Sequence, residues 1–119
     1  MMAHRILATV ALLATLSTAH ATRVLEQPER PYELSLAQLT LPAGTNGGVT
    51  VKPCEDCTYS THVLTATTQF VVNRQSVSFA DFRRIAEELR GTAPATFVGL
   101  FVDVETGRVT RMTLRHKAL

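Results

Sequence analysis

The chain contains no tryptophan, and of its 119 residues only Cys54 and Cys57 are cysteines. Two thiols allow one bridge at most and supply only half of a zinc or copper(I) site. Its longest apolar run, residues 6–16, falls short of the roughly 20 residues a membrane-crossing helix needs. Charge of one sign is also scarce: 12 Lys and Arg stand against 10 Asp and Glu, a formal +2. Nucleic-acid binders usually carry a strongly basic face, so no such partner is expected. No Gly-x-Ser-x-Gly elbow, His-Glu-x-x-His helix, Walker loop or Gly-x-Gly-x-x-Gly turn occurs. These absences remove the common signatures of serine hydrolases, zinc proteases and nucleotide enzymes.

What is present begins with an address. "MMAHRILATVALLATLSTAHA" places Arg5 before the apolar run and ends in Ala19-His20-Ala21, the three parts of a secretory signal peptide. Residues 1–21 are therefore read as a signal peptide, and the remaining chain as periplasmic or secreted, with no membrane span once it is removed. The remaining 98 or so residues suffice for one small core. Residues 22–31, "TRVLEQPERP", carry two prolines and four charges and read as a flexible lead-in. A single α+β domain is expected over residues 32–117.

Within that domain "YELSLAQLTL" alternates at Leu34 and Leu36, then resumes out of phase at Leu39 and Leu41, which predicts a β-bulge near Ala37 or Gln38. Asn46-Gly47 predicts a hairpin returning "GVTVK" antiparallel to the first strand, and "TNGG" is read as that turn, not as a phosphate loop. "TYSTHVLTATTQFVV" reads as strand interrupted near Ala66 and stopping at Asn73. The period then becomes helical, with Phe79, Phe82, Ile85, Ala86 and Leu89 on one stripe, Ser78 as cap and Gly91 as a left-handed stop. Two more strands, "ATFVGLFVDV" and "RVTRMTL", follow about a bulged loop at Gly107. Tyr32, Phe70, Phe97 and Phe101 are expected in the core, with Tyr59 there or exposed beside the cysteines.

This βββ-α-ββ order predicts either a five-stranded antiparallel sheet with one amphipathic helix or a small five-stranded OB-like barrel. A bulged first strand, able to serve two layers, favours the barrel. The segment "TTQFVVNRQSVSFADF" resembles small exported bacterial β-barrel (OB-like) domains of unassigned function. The resemblance spans about half of the processed chain and implies a fold, but no site residues.

Chemistry centres on "VKPCEDCTYST". Catalytic CxxC pairs sit at a helix N-terminus, where dipole and free N–H groups stabilise a thiolate. Thr58-Tyr59-Ser60-Thr61 is instead a β sequence, and Glu55 and Asp56 would repel a thiolate. A turn at Glu55-Asp56 brings Cys54 and Cys57 within disulfide range, so a bridged hairpin is the expectation. The alternative is a thiol-dependent metal-binding or redox protein, in which Cys54, Cys57, His62 and His116 would be the candidate ligands for zinc or copper. Arg111 and Arg115 share a strand face and are read as solvated surface. The function expected is a non-enzymatic binding or structural module without cofactor, its partner an envelope protein or a small ligand.

Overall fold

The computed structural model describes residues 28–116. Residues 1–21, read above as a signal peptide, most of the expected lead-in and Lys117 lie outside the described residues. Eight strands and one helix follow in order: β1 Glu29–Ser35, β2 Leu39–Thr40, β3 Gly48–Val51, β4 Ser60–Val63, β5 Gln69–Val72, β6 Gln75–Val77, α1 Phe79–Thr92, β7 Phe97–Asp103 and β8 Val109–Leu114. They form a five-stranded sheet ordered β1-β7-β8-β5-β6 and a three-stranded sheet ordered β2-β3-β4. The fold is α+β, and the sheets do not close into a barrel. The five-stranded sheet is mixed, not wholly antiparallel, because β5 and β8 run parallel from Gln69↔Arg111 to Val72↔Leu114.

That parallel pair has a local origin. Asn73 and Arg74 both take positive φ, 48° and 69°, and join β5 to β6 in a two-residue hairpin with Val72 opposite Gln75. The chain therefore reverses once more before the helix than the sequence pattern suggested. Helix α1 then returns it as β7, running the same way as β6, and β8, antiparallel to β7, falls beside β5 in the same direction. Asn73 secures the junction: its Nδ2 donates to the His116 carbonyl at 3.1 Å and its Oδ1 accepts from the His116 N–H at 3.0 Å.

The predicted bulge near Ala37 is instead a turn of 3-10 helix, Leu36–Gln38, through which the chain leaves the larger sheet and enters the smaller. It restores the apolar phase as a bulge would: Leu34, Leu36, Leu39 and Leu41 are all buried. Gln38 anchors it from both ends. Its Oε1 accepts from the Ser35 N–H and its Nε2 donates to the Pro53 carbonyl, each at 2.9 Å. The Arg90 guanidinium, reaching over from α1, donates to the Leu36 carbonyl, which also accepts the Leu39 N–H, and to the Leu39 carbonyl. In consequence "GVTV" pairs antiparallel with β2, not with β1.

The Gly44–Gly47 turn between β2 and β3 contains no positive φ. Gly47 and Gly48 serve close approach instead: a Cβ on Gly47 would stand 2.5 Å from the Pro42 side chain, and one on Gly48 2.5 Å from that of Thr61. Strand β1 begins at Glu29, ahead of the expected Tyr32. It tolerates Pro31 because it is an edge strand, where a missing N–H can face solvent.

Helix α1 starts as predicted, with the Ser78 Oγ accepting from the Asp81 N–H at 3.1 Å. Phe82, Ala86 and Leu89 are buried, and Phe79 and Phe82 lie 5.1 and 5.4 Å from the Phe70 ring on β5. Full burial of Phe82 and Leu89 contributes roughly 1.5–3 kcal/mol each. Gly91 is helical, not a stop. The helix ends at Thr92 because Ala93 precedes Pro94 and is pushed out of the helical region, to φ −145° and ψ 65°. Gly107, at φ 72°, does turn the β7–β8 loop, with a register shift at Phe101/Val102.

Candidate functional site

The cysteine corner behaves as a turn. The Cys57 N–H donates to the Cys54 carbonyl at 3.2 Å, the Cα atoms stand 5.0 Å apart, and the two sulfurs lie at disulfide distance. The next element is β4, so no helix N-terminus faces either sulfur. Beside it Tyr59 is 70% exposed, with the Lys52 ammonium 5.3 Å from its ring centroid. Cys54, Glu55, Gln38 and Tyr59 line a shallow hollow there.

His62 and His116 are on other surfaces. His62 lies on β4 opposite the buried Val49, and its ring sits 5.5 Å from that of Tyr32, across the seam between the sheets. Its Nε2 is 3.3 Å from the Ser60 Oγ, and burial holds its pKa below the ordinary 6.5. It lines a cleft with Arg30, Asp103 and Gly107. His116 lines a different hollow with Asn73, Arg74 and Arg115. Among the described residues no three His, Cys, Asp or Glu side chains form a metal-binding group, so the structure pairs Cys54 with Cys57 and gathers neither histidine to them.

A larger groove than those beside the cysteines and His62 lies on the face of the five-stranded sheet turned away from the core. Along β7, Val98, Leu100 and Val102 are buried, which leaves Phe97, Gly99 and Phe101 pointing the other way. Register then fixes the rows on this outer face. Pro31, Phe101, Arg111 and Gln69 lie in one row; Glu33, Gly99, Thr113, Val71 and Ser76 in the next; Ser35 and Phe97 in a third. Phe97 is 72% exposed. At Gly99 a Cβ would collide with the Thr113 hydroxyl and meet the Phe101 ring, so the missing side chain keeps a trough between the two phenylalanines. Pro31, Glu33, Phe97, Phe101, Thr113 and Arg115 bound a groove of about 560 Å3. The Arg111 guanidinium lies 4.1 Å over the Phe101 ring, a cation–π contact, and its Nε has no hydrogen-bond partner.

This face overturns the expectation that Phe97 fills the core, and Phe101 and Tyr32 are only half-buried; Tyr59 takes the exposed position beside the cysteines, and of the five aromatics named only Phe70 is buried. The signal was present in "TFVGLFVDV". Three aliphatic residues at alternate positions already supply the inward set, and that phase sends Phe97 and Phe101 outward. No helix among the described residues is long and apolar enough to cross a membrane. Comparison of the chain with protein-family models, curated proteins and solved structures finds no match to any of the three.

Proposed function

We propose that this protein is an exported, non-enzymatic binding or structural module whose working surface is the outer face of the five-stranded sheet. Export is supported by Arg5, the apolar run 6–16 and Ala19-His20-Ala21, with a periplasmic or secreted destination. The bonding distance between the Cys54 and Cys57 sulfurs is in keeping with an oxidising compartment. The observation that carries the reading is the groove around Phe97. A large ring left 72% in water, next to a half-buried Phe101 and two arginines, is costly on a monomer and favourable in an interface, whose centres are enriched in aromatics and Arg.

The test places a photocrosslinking side chain at Phe97 and, as control, at the exposed Arg83 on the far helix surface, in cells that export the protein. Adducts of defined mass from position 97 but not from 83 are expected. Equal labelling at both positions, or turnover of a substrate by the purified protein, overturns the reading. A mass gain of two hydrogens on reduction of the native protein is expected for the bridged hairpin, whereas bound zinc or copper would support the thiol-dependent alternative at Cys54 and Cys57.

A further inference from the structure

We infer that the partner of this outer face is a second copy of the same chain, related by a two-fold axis parallel to β7. The inference rests on the reading of that face as the working surface. It comes from how charge is distributed across the strands. On one side of the aromatic stripe, β1 presents Glu33; on the other, β8 and the residue just past it present Arg111 and Arg115. Glu33 is exposed, and among the described residues none of these three takes part in an ion pair. An acidic position on the edge strand β1 and basic ones on the central strand β8, flanking the apolar stripe on β7, make this part of the face complementary to itself.

Geometry selects the axis. Two sheets packed face to face lie about 10 Å apart with strands roughly aligned. Rotation about a line along β7 sets β1 of each copy over β8 of the other, and leaves positions along the strands unchanged. Glu33 is level with Thr113, so it arrives between Arg111 and Arg115 of the second copy. Phe97 meets Phe97 and Phe101 meets Phe101, closing the trough at Gly99. Rotation about a line across the strands would instead set Glu33 against Glu33 and Arg111 against Arg115, which like-charge repulsion disfavours. Each contact between two different residues is made twice, and every substitution is carried by both copies.

Sedimentation equilibrium and light scattering of the purified protein test this directly. A concentration-dependent dimer is expected, weakened by salt. Glu33→Arg and Arg115→Glu, both at exposed positions, should each weaken it by at least about tenfold, since each opposes like charges at two places. The combined charge swap should bind tighter than either single substitution but not reach the wild type, because it rebuilds the 33–115 pair with the signs exchanged and leaves position 33 facing the unchanged Arg111. Phe97→Ser should weaken the dimer with no change in circular dichroism. A monomer at every concentration up to about 1 mM, or a dimer whose constant neither single substitution moves, or a swap no tighter than either single substitution, overturns the inference. If the protein is monomeric yet Phe97 still crosslinks a different molecule, the second copy is wrong and the working face stands. If Phe97 crosslinks nothing and the protein is monomeric, both fall.

Discussion

The molecule holds two tight corners by different means. At Cys54–Cys57 two sulfurs lie at disulfide distance on an exposed turn of the smaller sheet, with only three residues of separation. At Asn73-Arg74 there is no covalent tie, yet two side-chain hydrogen bonds from Asn73 reach His116, 43 residues away. The chemically conspicuous corner constrains a local loop, whereas the plain one fixes which strands are neighbours. A bond's contribution to topology depends on how far apart in sequence it acts, not on its strength.

Asn73→Ala should therefore give the largest loss. It removes both hydrogen bonds to His116, and it replaces a residue that tolerates positive φ by one that does not. At about 0.5–1.5 kcal/mol per bond plus the backbone term, the expected cost is roughly 2–4 kcal/mol in urea unfolding. A cost under about 1 kcal/mol would show that the parallel β5–β8 pair is held by its ladder alone.

Removing the bridge should cost less. For so short a loop the chain-entropy relation gives at most about 2 kcal/mol, less any strain in the turn. Cys54→Ser with Cys57→Ser is expected to lower stability by no more than this and to leave the five-stranded sheet unchanged by hydrogen exchange. A larger loss, or exposure of β7 and β8 amides, would reverse the ranking of the two corners.

Arg74→Gly acts in the opposite direction. Arg74 holds φ 69° with its side chain exposed and in no ion pair. An L-residue there costs roughly 1–2 kcal/mol, and glycine returns part of that gain as unfolded-state entropy. A stabilisation of about 0.5–1 kcal/mol is expected, because Asn-Gly suits the turn type better than Asn-Arg. That preference also explains why the corner was hard to read from sequence: hairpin chemistry is strongest at Asn-Gly, which the chain places at Asn46-Gly47. There the glycines serve close packing against Pro42 and Thr61, with no left-handed φ.

Legibility elsewhere followed the same line. The helix, its Ser78 cap, the Gly107 loop, the break near Ala66 and the turn between the cysteines were all legible because each is fixed by residues within one turn of one another. The sheet switch at Leu36–Gln38 depends on Arg90 and Pro53, 54 and 15 residues from their partners, and no local pattern records that. Helix termination was misassigned to Gly91 because the restriction comes from Pro94 acting back on Ala93. The outer-face groove was missed by treating aromatic residues as core by type, although strand phase assigned Phe97 and Phe101 to the opposite side.

The seam joining the two sheets supplies the smallest effect and the finest test of how independent they are. Burial lowers the His62 pKa below its ordinary 6.5, so the folded state disfavours the imidazolium packed against Tyr32. The unfolded chain then binds more protons than the native one across this window, and stability rises with pH. The His62 contribution is fully present above about pH 6.5, and is lost as pH falls through the lower folded value. The measurement is the difference between the wild type and His62→Gln, which keeps a polar group but cannot titrate. The variant should flatten part of the slope of stability below pH 6.5. In the wild type, acid should speed exchange at β3 and β4 amides before it reaches β7 and β8. Equal acceleration in both sheets would mean that they open as one unit, and the two corners would then belong to a single cooperative structure.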